Sequence, residues 1–450
     1  MPDPNAQLAA VLTEAAITYN ALAREVRAVS SEAGQPLGTG PSAVAYWVAG
    51  GTPSGQTPFY IAEALTRRMK RTVTVDEIGL GSAGTGPALP TDPLVAVADL
   101  GRFVMLRRRD FLHSAFATAA VAVPLAYDHH AVAATLRAAA RQGAAGAGEI
   151  NTVRELTETF RTADDKLGGG HGLTTATTYL TDTVIPLLKA RFPTEDLRRQ
   201  AYGAAAQLAC LIGWKCHDLS REGAAQRYYQ VGYQLACEAD PNGHGAWMLR
   251  AMTHQALDLG HPDSCVDLSE AALQRARGKV DRQTEALLLV TCARAYGTAG
   301  QTKQAASALL RAEEAAADTT DPVATYAAGS GPVTATIASH TAKTLTAMRD
   351  HSAAERHYRT ALAGRAPDSY QRGHALTMVN LGKSVAAQRR HEEAVRLWHR
   401  CIDVMDGLNS DRTKQEITTI KTASAGYARR GIPGAATLTQ RATELLRNQP

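Results

Sequence analysis

NLGKSVAAQRRHEEAVRLWHRCIDV, residues 380–404, is the stretch that decides how this chain folds. A small residue, Gly382, stands twelve positions before a second one, Ala394. Four residues after Ala394 comes the bulky Trp398, and seven after it the small Cys401. On helices these offsets place small side chains where two antiparallel helices cross closely, with a large one filling the space a turn further along the same face. The pattern recurs with anchors at Ala225, Cys265, Ala305, Ala354, Ala394 and Ala436, spaced 40, 40, 49, 40 and 42 residues apart. Twelve before them stand Gly213, Thr253, Ala293, Ala342, Gly382 and Ser424. Four after them stand Tyr229, Ser269, Leu309, Tyr358, Trp398 and Gln440.

Six copies in register, of which 380–404 and CARAYGTAGQTKQAASALLRAEEA (292–315) are the best, resemble the tetratricopeptide repeat. The resemblance implies a right-handed α-solenoid over 201–450. Its period near 40 exceeds the family's, so longer helices or connections are expected.

Composition agrees with an all-α chain. Of 450 residues 45 % are hydrophobic but only 5 % aromatic, which suits helices packed closely through small side chains. A net charge of +5 is slight for this length and by itself implies no polyanion partner. The six cysteines lack any C-x-x-C pair, so they read as free thiols acting as small hydrophobes in a reducing compartment. No N-terminal signal peptide is visible, and a cytoplasmic location is expected.

Upstream of the repeats, Gly and Pro crowd residues 79–93 as a linker. Arg107-Arg108-Arg109-Asp110-Phe111-Leu112 and the alanine-rich run after it are similar to a twin-arginine export signal. That run is too short and too interrupted to span ~30 Å of hydrocarbon, so a linker helix docked on the next domain is expected and no membrane partner. The expected organisation is 1–82, a first domain; 83–128, the linker with this apolar helix; 129–200, a helical lead-in; and 201–450, the repeats.

Residues 8–80 read as five short helices. LAAVLTEAAI is the first; Thr18 caps the second, YNALAREVRAVSSEAG; PSAVAYWVAG is the third; FYIAEALTRRMKR the fourth; and Thr74 caps the fifth, VDEIGL. This order resembles the helix-turn-helix domain of phage-repressor-type (XRE-like) regulators. The whole chain is similar to the actinobacterial transcriptional regulators that join such a domain to tetratricopeptide repeats, many of which carry an R-R-x-F-L segment in between. The resemblance implies double-stranded operator DNA as a partner, with the third helix in the major groove. By position, Asn20 and Arg24 would face the DNA backbone, and Ser42, Ala45 and Tyr46 the base edges. Val44 and Trp47 would hold the core, while Arg67, Arg68, Lys70 and Arg71 would meet phosphates. One departure matters: residues 1–82 carry six basic and seven acidic side chains, with no Lys or Arg between Arg27 and Arg67. DNA-binding domains are usually clearly basic.

One residue after each small first-helix position comes Trp214, His254, Arg294, Lys343, Lys383 and Ala425. In this register the column projects into the concave groove of the solenoid, where an aromatic, a histidine and cations favour a ligand bearing carboxylates, a peptide or protein. Asn380, three before Lys383, would bond an extended backbone, as asparagines do in related peptide-sensing regulators. No phosphate loop, H-E-x-x-H or G-x-S-x-G is present, so no enzyme, cofactor or metal is expected. The adjacent pairs Asp164-Asp165 and Glu313-Glu314 diverge on a helix. The function expected is a DNA-binding transcriptional regulator, acting as a homodimer, whose repeats dimerise or sense a ligand. The alternative is a protein–protein adaptor with a degenerate N-terminal domain.

Overall fold

Thr18 accepts a hydrogen bond from the Ala21 amide at 3.2 Å and so starts the second helix of the first unit. The computed structural model describes residues 3–81, 92–106, 142–329 and 331–448. The first unit packs α1 (Ala6–Glu14), α2 (Tyr19–Glu32), α3 (Pro41–Val48) and α4 (Thr57–Met69) around Leu8, Leu22, Val26, Val44, Trp47, Ile61 and Leu65. Asn5 ties its two ends together: its Oδ1 caps α1 through the Leu8 amide and its Nδ2 donates to the Ile78 carbonyl at 2.9 Å. The expected fifth helix is a turn instead. Thr74 Oγ1 accepts from the Glu77 amide at 3.1 Å, but Gly79 at φ +62° ends the segment before a second turn can form.

Helix α5 (Pro93–Leu106) lays Leu94, Ala96, Val97 and Leu100 into the core of the second unit. The twin-arginine-like segment lies outside the described residues, as do residues 129–141 of the expected lead-in. The next described element is a two-stranded parallel pairing of β1 (Gln142–Ala144) with β2 (Ala190–Arg191). Between the strands lie α6 (Ala147–Leu167), then α7 (Leu173–Tyr179), which passes through a π turn (Leu180–Val184) into α8 (Ile185–Leu188).

From Glu195 on the chain is a series of helical hairpins. They are α9/α10 (Glu195–Asp218, Glu222–Ala239), α11/α12 (Gly243–Leu259, Pro262–Ala276) and α13/α14 (Arg282–Thr298, Thr302–Ala317). After a short α15 (Thr325–Ala328) come α16/α17 (Val333–Ala347, His351–Ala363), α18/α19 (Gln371–Ala387, His391–Met405) and α20/α21 (Asp411–Arg429, Ala435–Asn448). The close crossings are where the small residues stand. A Cβ on Gly213 would sit 2.8 Å from the Tyr229 ring, and one on Gly382 would overlap the Trp398 indole. The anchors Ala225, Cys265, Ala305, Ala354 and Ala394 are completely buried. The last hairpin is one residue out of the expected phase: Ala435 and Ala442 are buried while Ala436 and Gln440 face solvent. The turn Gly431–Gly434, with both glycines at positive φ, resets the second helix there. The 49-residue interval is the connection that carries α15.

The series closes on itself. Ser410, at the start of α20, donates to Asp218 at the end of α9 at 2.9 Å, and Gln415 reaches Ser220 at 3.1 Å. Helix α6 crosses the inside of this ring, and its Leu167 carbonyl accepts from the Asn409 amide at 2.8 Å. Among the described residues no helix is long and apolar enough to cross a membrane. The six cysteines are unpaired and lie on helices, five of them buried.

Candidate functional site

The inner faces of the first helices of the hairpins line, together with α6 and the end of α15, a half-open cavity of about 280 Å³. Helices give it rows a turn apart: Trp214 from α9; Trp247, Arg250, Ala251, His254 and Asp258 from α11; Arg294 from α13; Thr336, Ser339, His340 and Lys343 from α16; Arg372, Leu376 and Asn380 from α18; and Arg412 from α20. Of the six residues expected in a groove, Trp214, His254, Arg294, Lys343 and Asn380 therefore share one cavity. Lys383 does not: it points one turn beyond and pairs with Glu416 on α20 at 2.6 Å. Asn380 donates one amide N–H to the Leu376 carbonyl at 2.9 Å, four residues back on its own helix, which leaves its carbonyl oxygen and second N–H for a ligand.

Charge in the cavity is one-sided. Seven cations line it (Arg161, Arg250, Arg294, Lys343, Arg365, Arg372 and Arg412) against three carboxylates (Asp164, Asp165 and Asp258). Several are structural. Arg372, 3 % exposed, spans Asp164 at 2.5 Å, Asp218 at 3.1 Å and Asp165 at 3.9 Å. Thus Asp164 and Asp165, expected to diverge, both reach one guanidinium, because Arg372 approaches α6 from across the ring. Burial pushes Asp165 up to about 6 despite that neighbour. Asp258 takes Arg294 and Arg412, each at 2.7 Å, and these hold its carboxyl well below the usual range against the cost of burial.

Arg161 pairs with Glu158 at 3.2 Å, whereas Arg250, Arg365 and Lys343 have no carboxylate at bonding distance among the described residues. Arg250 lies over the Trp247 ring at 4.3 Å and donates to Thr291 at 3.0 Å; burial lowers it to about 9. Arg365 donates to Thr336 at 3.1 Å. Lys343 has no hydrogen-bond or ion-pair partner among the described residues, and burial, with Arg294 nearby, pushes it down to about 7. The imidazoles of His254 and His340 meet in a tilted pair, centroids 4.8 Å apart, and burial drives both well below 6.5. His340 Nδ1 is buried and unpartnered. Among the described residues no group of three His, Cys, Asp or Glu is placed to hold a metal ion.

Beneath the cavity His217 bridges Glu222 at 2.8 Å and Asp258 at 3.3 Å. Burial opposes its charge, but the two carboxylates outweigh it, and the imidazole is raised to about 9. The folded value exceeds the unfolded one, so its contribution is complete below pH ~6.5 and is lost as pH rises through about 9. We expect His217→Gln to lower the urea midpoint near neutral pH, and the gap from wild type to narrow above pH 9. A gap that does not change with pH would place the effect in packing alone.

On the first unit Asn20 and Arg24 lie exposed on α2, and Ser42, Ala45 and Tyr46 on α3, with Val44 and Trp47 buried beneath. The expected phosphate contacts are engaged elsewhere. Arg67 is held by Glu32 through two bonds at 2.7 and 2.9 Å and by Glu63 at 2.7 Å, only 20 % exposed. Arg68 lies 3.7 Å from Glu25, Arg71 pairs with Glu14 and Glu77, and Lys70 reaches Asp263 of α12 at 2.8 Å. Five of the unit's seven acidic residues, Glu14, Glu25, Glu32, Glu63 and Glu77, take up Arg67, Arg68 and Arg71.

Sequence reading missed Arg250, Arg365, Arg372, Arg412 and the α6 residues. Part of this was legible: Arg250 stands four residues before His254, hence on the same helical face. Residues 8–81 match the family described as the SP15 N-terminal domain, a span that coincides with the first unit. No curated protein matches the chain significantly.

Proposed function

We propose that this chain is a DNA-binding transcriptional regulator of the actinobacterial XRE-like type. In this reading the first unit is a helix-turn-helix domain, and the hairpins are a right-handed solenoid of tetratricopeptide-type repeats that senses a ligand. The observation that carries it is the outer face of α3. Tyr46 is 60 % exposed and stands beside exposed Ser42 and Ala45, while buried Val44 and Trp47 fix the helix in place. The Tyr46 ring lies against Gly51, where any Cβ would overlap it, so the phenol is positioned although exposed. A hydroxyl, a small apolar side chain and a phenol on one face suit base edges and phosphates in a major groove. Exposed Arg24 and Asn20 would meet the adjacent backbone. Two copies on one operator would double this modest electrostatic term, and their spacing would be set by the repeats. A ligand in the cavity would act by changing ring closure and hence that spacing.

The adaptor reading has a specific observation of its own: Arg67, Arg68, Lys70 and Arg71 are all engaged with carboxylates. Replacing Tyr46 separates the two. On duplex DNA from the chain's own upstream region, Tyr46→Ala should weaken binding by about 1–3 kcal/mol, roughly five- to 150-fold. Its unfolding midpoint should match the wild type, because the side chain is exposed. Equal binding by variant and wild type would remove α3 from the interface.

A further inference from the structure

We infer that the ring cavity is a binding site for a small organic anion, one acidic head (carboxylate or phosphate) on a largely apolar body. This rests on the repeats being the sensing part of the regulator, and it narrows what they sense. The first ground is the limited room inside the ring. Helix α6 runs across the ring and is stitched to both ends of the series, through Asn409 on one side and through Asp218, which accepts from the Gly169 amide at 2.9 Å, on the other. What remains is a chamber of about 280 Å³, at the size of a small molecule rather than of a through-running peptide.

The second ground is unspent charge. Lys343 lines the chamber with no hydrogen-bond or ion-pair partner among the described residues, and Arg294, Arg365 and Arg412 line it too. The half-buried Lys343 amine sits among cations, and the carboxylate that acts on it, Asp258, is already shared by Arg294 and Arg412, so an anionic head would supply a partner of its own. Ser339, one turn before Lys343 on the same face of α16, adds a hydroxyl donor to this wall. The third ground is the opposite wall, where Trp247, Met248, Ala251 and Leu376 offer apolar surface for the body of the ligand.

The three grounds make Lys343 a residue whose removal should act with opposite signs on stability and on binding. Full-length protein is titrated with 8-anilinonaphthalene-1-sulfonate, a small sulfonated aromatic whose emission rises in apolar surroundings. We expect saturable one-site binding, weakened about tenfold or more by Lys343→Met, while the same variant unfolds at a higher temperature than the wild type. Lys383→Met, outside the chamber, should bind as the wild type does. Displacement by phenyl phosphate but not phenylacetate assigns a phosphate head, and the reverse a carboxylate; inorganic phosphate, which lacks a body, should displace the dye poorly. Unsaturable dye uptake, a wild-type affinity in Lys343→Met, or a lower unfolding temperature in that variant would each overturn the assignment. No DNA enters the titration, so its failure leaves the operator reading standing, and loss of operator binding leaves the chamber assignment standing.

Discussion

Arg372→Ala should lower the stability of the hairpin series by about 3–5 kcal/mol, the usual cost of removing one partner from a buried charge cluster. Its guanidinium is shared by Asp164 and Asp165 of α6 and by Asp218 of α9, and it lies 5.8 Å from the Trp214 ring. Without it, three carboxylates face one another around the remaining Lys215, whose ammonium is 3.4 Å from Asp164 and which burial already pushes down. The effect should be local as well as large. Amide exchange along α6 and at Asn409 should accelerate far more than at α13 and α14, because Arg372 joins α18 to α6 and α6 fastens the ring. Urea unfolding followed by helical circular dichroism gives the magnitude. Neutralising the acids in the same background, Arg372→Met with Asp164→Asn and Asp218→Asn, should recover much of the loss. A change below about 1 kcal/mol would mean that the cluster is solvated and that closure is held elsewhere.

Trp398→Ala should cost about 3–5 kcal/mol by leaving a cavity at the α18/α19 crossing. The indole is 2 % exposed, packs over Gly382 and donates Nε1 to the Val379 carbonyl at 3.3 Å. The converse change tests the same contact: Gly382→Ala pushes a methyl into the indole and should destabilise by about 1–3 kcal/mol. The two residues touch, so the losses should not add: Gly382→Ala should be nearly harmless once Trp398 is Ala. Additive losses would place the two residues in separate environments and undo the close-crossing argument.

Why the hairpins were legible follows from that contact. A glycine and an indole sixteen residues apart, on two helices joined by a short turn, are brought together by local chain geometry, so periodicity in the sequence reports it. The same local logic read the Thr18 cap and the buried and exposed faces of α3. The fifth helix failed for want of length, and the last hairpin slipped by one residue because a turn with two positive-φ glycines carries no helical period. Ring closure was not legible at all. It depends on pairs such as Arg372 with Asp164 and Ser410 with Asp218, about two hundred residues apart, which no spacing rule connects. The groove column was found on its repeat positions, but which cations in it are free was not, because Arg294 and Arg412 share an aspartate that lies on a third helix. Likewise the near-neutral charge of residues 1–82 was visible as a sum, whereas the burial of Arg67 between Glu32 and Glu63 needed the packing of α2 against α4.

The most direct measurement is fluorescence anisotropy of the full-length protein with labelled duplex from its own upstream region, at low and at physiological salt, with random-sequence duplex as competitor. For a regulator whose α3 reads DNA, binding saturates, survives the competitor and weakens as salt rises, with a shallow slope because few of the unit's cations are unpaired. Absence of saturable binding at micromolar protein in low salt would contradict DNA recognition and leave the adaptor reading.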